Sequence, residues 1–220
     1  MSDEAFESAY PAVMEDVARR IIAAEKSLAE VSENHGHPFA WVGCEVAVVQ
    51  LRKICELFLL GSTIAHLEDG QADLDAKKWR PKDAFIQLEG ASEHGTQLPV
   101  EIQFDHNGPG AHHITPKSGP MSYQALKVIY GICGDLLHVP TAQQVFKGKL
   151  PSFDVDQLTR WLAGLKELAQ AHVLMLPHRK RVYLCFWDGS LEKSPELVLL
   201  SAEGESTLKL EDYPNFSLFP

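Results

Sequence analysis

The sequence has no Cys-x-x-Cys pair, no internal repeat and no low-complexity tract. The first absence argues against zinc ribbons and thioredoxin-like redox motifs. The second argues against solenoids and propellers, and the third against long linker segments. The chain is also short of positive charge, with 20 Lys and Arg against 30 Asp and Glu and a formal net charge of −10. Broad electrostatic binding to nucleic acid relies on basic surface, so this balance leaves room only for a small local basic pocket. A long uncharged apolar run is missing too. The longest apolar stretch, residues 41–68, carries Glu45, Arg52, Lys53 and Glu56 and is too polar to span a bilayer. The opening MSDEAFESAY is acidic, without the basic and apolar regions of a secretory leader. The four cysteines, Cys44, Cys55, Cys133 and Cys185, lie scattered on apolar segments. They read as buried free thiols of a reducing compartment, and the chain is expected to be cytoplasmic with no membrane partner.

What remains is 220 residues of ordinary globular composition, 45% hydrophobic and 23% charged, which fits one large domain over 1–220. Its centre is the stretch 41–68, which has no proline and is long enough for seven full helical turns, by ~3.6 residues per turn. On a wheel with Glu45 at zero, Arg52 falls at roughly 340°, Glu56 at about 20°, Thr63 at about 0° and His66 near 300°. Most other positions are apolar, which predicts a helix packed by several neighbours. The narrow charged seam then faces water or a polar cleft. Arg52 and Glu56 are i, i+4 partners and read first as an ion pair. The sharper reading is a cleft in which the Arg52 guanidinium holds an anionic group.

Before this helix, residues 8–31 read as another, with Ser8 as cap, Pro11 in its first turn and Val13, Val17, Ile21, Leu28 and Val31 on its apolar face. His35 and His37 form a His-x-His pair in the linker, too few ligands for a metal. Residues 81–88 read as a short helix, with Trp79 and Phe85 docking on the core. Residues 100–104 and 111–115 read as a hairpin around Asn107 and Gly108, within an insertion near 98–116. Asp105, His106, His112 and His113 on that hairpin form a weaker candidate for metal-dependent hydrolysis. The leading reading needs neither a metal nor a cofactor.

Residues 121–140 are the second informative stretch. Ser122 caps a helix that Pro140 stops near His138. Tyr130, Gly134 and His138 are spaced i, i+4, i+8 on one side. Two glycines, Gly131 and Gly134, each cost a helix about 1 kcal/mol against alanine. They suit a close approach by another helix or a ligand, or a break with a new helix starting at Asp135. Residues 152–173 read as the last helix, capped by Ser152 or Asp154 and ending on a packed His172 whose charge suits the helix C-terminus. Two strands joined by DGSLEKSP form a second hairpin over 179–201, and the tail 203–220 is apolar enough to dock on the body. The expected fold is mainly α: about four main helices in a bundle over 8–172, with two β-hairpins added, an α+β arrangement.

The order QLRKICELFLLGSTIAH and later YGICGDLLH resembles a set of bacterial proteins that share a helix of the form QLRK-x-x-E followed by Y-x-x-C-G-D-x-L-H. Through them the chain is distantly similar to the HEPN superfamily (higher eukaryotes and prokaryotes nucleotide-binding). That resemblance implies a helical bundle and, in many members, a metal-independent ribonuclease of toxin or phage-defence systems. The family's hallmark is an Arg, often followed by Asn or Asp, and a His several residues on. Asp135 and His138 match it, and Gly134 stands where the Arg would be, which leaves Arg52 as the candidate cation. The resemblance implies His138 as acid/base group, Arg52 on phosphate charge, and Asp135, Tyr130 and Glu56 as orienting groups. The implied partner is RNA or a nucleotide, in a defence or stress setting. A second hypothesis stands beside it: a non-catalytic interaction module, binding a protein partner or a second copy of itself through its hairpins and acidic surface.

Overall fold

The structure is a computed structural model that describes residues 3–33, 38–70, 80–90, 97–104, 112–117, 121–148, 152–176, 179 and 181–200. Two helices of equal length dominate it, α1 (Asp3–Glu33) and α2 (Pro38–Glu68), each 31 residues and about 46 Å long at ~1.5 Å per residue. Their contact is the most extensive between any two elements. It buries Met14, Val17, Ile21, Leu28 and Val31 of α1 against Ala47, Leu51, Ile54 and Phe58 of α2 in one core. Gly43 lets the two helices close up, since a Cβ there would lie 2.6 Å from Val31 Cγ2.

Helix α1 begins five residues earlier than its Ser8 cap signal predicts, and Pro11 lies inside it. The reason is the apolar pair Phe6 and Tyr10, spaced i, i+4 and fully buried. Phe6 packs on Tyr183 with ring centroids 5.0 Å apart. Extending the buried face outweighs the cap, and the Ser8 hydroxyl donates to Ala5 O instead.

Helix α3 (Pro81–Gly90) buries Phe85, as expected; Trp79 lies outside the described residues, as do His35 and His37. Helix α4 (Tyr123–Leu137) is capped by Ser122, whose Oγ accepts from Ala125 N at 3.2 Å, and it ends on His138. It runs unbroken through Gly131 and Gly134, so no new helix starts at Asp135. A short helix α5 (Ala142–Phe146) follows, which the sequence reading did not anticipate. Helix α6 (Val155–Gln170) is capped by Asp154, with Oδ1 accepting from Gln157 N at 2.9 Å.

The chain then differs from expectation. Instead of one helix to 173, α6 stops at Gln170 and the next residues form strand β3 (Ala171–Leu176). Its sequence, AHVLML, is apolar apart from His172, and such a run reads alike as a helix extension or a buried strand. β3 is the strand that joins the two expected hairpins. β1 (Leu98–Phe104) with β2 (His112–Pro116), and β4 (Arg181–Phe186) with β5 (Glu196–Leu200), combine into one antiparallel sheet of order β2-β1-β3-β4-β5. Alternation along the strands sends Leu174, Leu176, Tyr183 and Cys185 into the main helical core. Val100, Val173 and Leu184 form a smaller cluster. The architecture is thus a helical bundle with a small antiparallel sheet, an α+β fold. The expected tail dock over 203–220 lies outside the described residues. No helix among the described residues is long and apolar enough to cross a membrane.

Candidate functional site

The charged seam of α2 does not face a single environment. Glu45 is exposed, and Thr63 and His66 are buried, with Thr63 Oγ1 donating to Leu59 O at 2.9 Å and His66 Nδ1 at 2.8 Å from Ser62 O. Between these ends, Arg52 and Glu56 lie at the boundary with α4. Their side chains are 27% and 17% exposed, enough for water to reach the pair.

Arg52 is held on two edges. Its Nε donates to Glu56 Oε1 at 3.5 Å and its Nη2 donates to Tyr130 Oη at 3.0 Å. The guanidinium also lies over the Tyr130 ring, 4.6 Å from the centroid, a cation–π contact. Glu56 is shared: its Oε2 accepts from Lys53 Nζ at 2.7 Å. Tyr130 is fixed from behind by Phe85, with ring centroids 5.4 Å apart, and Phe85 O accepts from Tyr123 Oη at 2.6 Å.

The third edge of Arg52 explains one of the two glycines. A Cβ on Gly134 would stand 2.8 Å from Arg52 Nη1, so glycine is what lets the guanidinium reach the α4 backbone. Nothing lies within 4 Å of a Cβ at Gly131, and no close approach accounts for that glycine. Arg52's charge is felt next door at Cys133, where burial pushes the thiol up to about 12 against the pull of the guanidinium. Burial also raises the Cys55 thiol. All four cysteines are buried and free, and thiols so disfavoured as thiolates make poor nucleophiles.

Three of the five expected site residues, Arg52, Glu56 and Tyr130, therefore meet. Asp135 and His138 are exposed on the outer end of α4, and among the described residues neither is hydrogen-bonded or ion-paired to the guanidinium. His138 follows Gly134 by four residues, which sets it one turn, about 5–6 Å between Cβ positions, beyond the place where Nη1 meets the helix. The arrangement is a guanidinium fork fixed in orientation and partly open to water, a group whose chemistry suits an oxyanion, with an imidazole a turn away. For the alternative metal reading, Asp105 and His106 and the side chains of His112 and His113 lie outside the described residues.

A second polar cluster escaped sequence reasoning. His172 is fully buried on β3. Its Nδ1–H donates to Leu168 O at 2.8 Å, so its Nε2 accepts from Tyr10 Oη at 2.7 Å. Gln97 Nε2 donates to both Tyr10 Oη, at 3.2 Å, and Phe58 O, at 2.9 Å, and Gln97 Oε1 accepts from Ser62 Oγ at 2.8 Å. Burial lowers the His172 pKa to about 4. The ring is neutral and satisfies an α6 carbonyl as a donor, rather than bringing the charge expected of it at a helix end. The Phe6–Tyr10 spacing was the available signal for one end of this network; its other members come from distant parts of the chain.

The chain matches no protein-family model, no curated protein and no solved structure.

Proposed function

We propose that the α2–α4 seam is a phosphate-recognising site and that the protein binds or cleaves RNA, or binds a nucleotide, without a metal ion. The observation that carries this reading is the Arg52 guanidinium. It is oriented by Glu56 and Tyr130, and its Nη1 packs over Gly134, one turn short of an exposed His138. Pre-set donors of this kind act where phosphate charge develops. In cleavage His138 takes the proton of the RNA 2′-hydroxyl, whose oxygen attacks the adjacent phosphorus. The P–O5′ bond breaks, and the leaving oxygen takes up the proton that His138 has received. Glu56 and Tyr130 hold the guanidinium, and Asp135 lies on the same exposed helix end as His138. The net charge of −10 suits a local contact with one or two phosphates rather than a long basic track. The HEPN resemblance supports the same chemistry and supplies the defence or stress setting.

The test is cleavage of a defined RNA in excess chelator. Wild-type protein is expected to cut, and His138→Ala to abolish cutting with the fold intact. Cleavage unchanged in that variant would remove His138 from the mechanism.

A second reading, a non-catalytic interaction module, is favoured by Val139 and Phe146, almost wholly exposed on the segment after His138. Large apolar side chains in water often mark partner surfaces. In that case no RNA cleavage or nucleotide binding depends on Arg52.

A further inference from the structure

Three large apolar side chains stand in water on the short segment that follows α4. Val139, Val145 and Phe146 are 89%, 50% and 90% exposed. The backbone under Phe146 is held. In α5 and just beyond it, Val145 N donates to Thr141 O at 3.0 Å and Lys147 N to Gln143 O at 3.2 Å. Gly148, at φ +68°, closes the turn in the left-handed conformation, its N donating to Val145 O at 2.9 Å. The ring is thus presented to solvent from a hydrogen-bonded frame. The charge around it differs from that of the chain as a whole. Residues 136–153 contain no Asp or Glu, although the chain has 30 among its 220 residues, and they contain His138, Lys147 and Lys149 instead. Among the described residues Lys147 is exposed and in no ion pair. In a protein of net charge −10, this is a stretch where a polyanion meets little repulsion.

We propose that Phe146 is a stacking platform for an unpaired base of a bound RNA strand, and that Lys147 holds the phosphate next to it. An aromatic face beside a cation is the combination that grips single strands, since every base has a π-face and every nucleotide a phosphate. The placement fits the candidate site. At most four extended residues and four helical ones separate His138 from Phe146, so their Cα atoms are no more than about 20 Å apart. That is a span of a few nucleotides, so a strand with a phosphate at Arg52 can reach the ring. A membrane surface fits less well. A five-residue helix is short for an amphipathic anchor, and anionic lipid repels a net charge of −10. A protein partner calls for a continuous apolar patch, whereas exposed Gln143 and Lys147 flank the ring. The inference rests on the phosphate reading of Arg52 and adds to it the residue that grips a base.

The test is fluorescence anisotropy with a labelled oligouridylate of about ten nucleotides, beside the same oligomer made abasic and the same oligomer paired into a duplex. Wild-type protein is expected to bind the single strand. Phe146→Leu keeps an apolar side chain without a π-face and should weaken that binding about tenfold, whereas Phe146→Trp should hold or tighten it. The abasic oligomer and the duplex, which offer no free base, should bind Phe146→Leu and wild type alike. Lys147→Ala should lower the slope of log affinity against log salt by about 0.7, the share of one phosphate on a single strand. Circular dichroism of these variants is expected to be unchanged, since both side chains are exposed. Binding that Arg52→Lys weakens but Phe146→Leu does not overturns this proposal and leaves the phosphate site standing. Wild-type protein that binds no RNA overturns both. Equal weakening of the intact and abasic oligomers by Phe146→Leu overturns the stacking role. So does Phe146-dependent sedimentation with phosphatidylserine vesicles in the absence of any effect on RNA, which would assign the ring to a membrane surface.

Discussion

Arg52 Nη1 lies 2.8 Å from the point where a Cβ on Gly134 would sit, whereas the same construction at Gly131 meets nothing within 4 Å. Two glycines three residues apart on one helix thus have opposite standing. Gly131→Ala is expected to stabilise the protein by about 1 kcal/mol, the ordinary gain in a helix interior. Gly134→Ala should lose that gain, because the new methyl displaces the guanidinium from Tyr130. Urea unfolding of the two variants side by side checks this. Equal stabilisation by both would mean that Arg52 has no need of Gly134.

The Arg52 anchor separates into parts. Tyr130→Phe removes the hydroxyl that accepts from Nη2 but keeps the ring under the guanidinium, so it should cost only about 1 kcal/mol. Arg52→Ala removes the cation, its stacking and one of the two partners of a mostly buried Glu56, and should cost about 1–3 kcal/mol, discounted for partial exposure. Chemical denaturation measures both. A Tyr130→Phe cost larger than that of Arg52→Ala would contradict the assigned geometry.

His172 makes stability depend on pH. Its folded pKa is lowered by burial to about 4 from an ordinary 6.5. Between these values the unfolded chain takes up a proton that the folded chain refuses, so unfolding is favoured as pH falls from 6.5 to 4. Above 6.5 this contribution is constant, and below 4 the loss is complete. The two values imply a loss of up to about 3 kcal/mol. Nitrogen-resolved NMR of the ring is the direct check: the Nδ1–H tautomer should persist down to pH 5. Titration near pH 6.5 in the folded protein would contradict the buried network.

Gln97 ties that network to α2. Gln97→Leu leaves the Ser62 hydroxyl without its acceptor and takes a donor from Tyr10, at about 1–3 kcal/mol for each buried group left unpaired. Tyr10→Phe should cost less, since it leaves His172 Nε2 as the main orphan. Thermal unfolding ranks the two variants, and a neutral Gln97→Leu would show the network to be dispensable.

Much of the fold was legible because amphipathic spacing is local. Val17, Ile21, Leu28 and Val31 gave away α1, Ser122 the start of α4, and Asp154 the start of α6. The errors have one physical source: hydrophobicity says that a residue prefers burial, not what will bury it. Residues 171–173 read as the end of the last helix and instead open the strand that unites both hairpins. The helix over 41–68 read as packed by several neighbours, yet its Val42, Val46 and Val49 stand in solvent. Phe6 and Tyr10 moved the start of α1 back past a good capping serine. At the candidate site the Arg52–Glu56 pair was visible as an i, i+4 spacing. Its contact with Tyr130, 78 residues away in sequence, was foreshadowed only by the misfit glycine at 134. The tether from Gln97 to Tyr10 and His172 had no local signal at all.

The most direct test of the account is binding of a short fluorescently labelled RNA, followed by anisotropy in excess chelator, with wild-type protein and Arg52→Lys. Lysine keeps the charge but not the fork that Glu56 and Tyr130 orient. Saturable binding that Arg52→Lys weakens about tenfold or more is the predicted result. Wild-type protein that does not bind, or a variant that binds equally well, would contradict a phosphate site at Arg52.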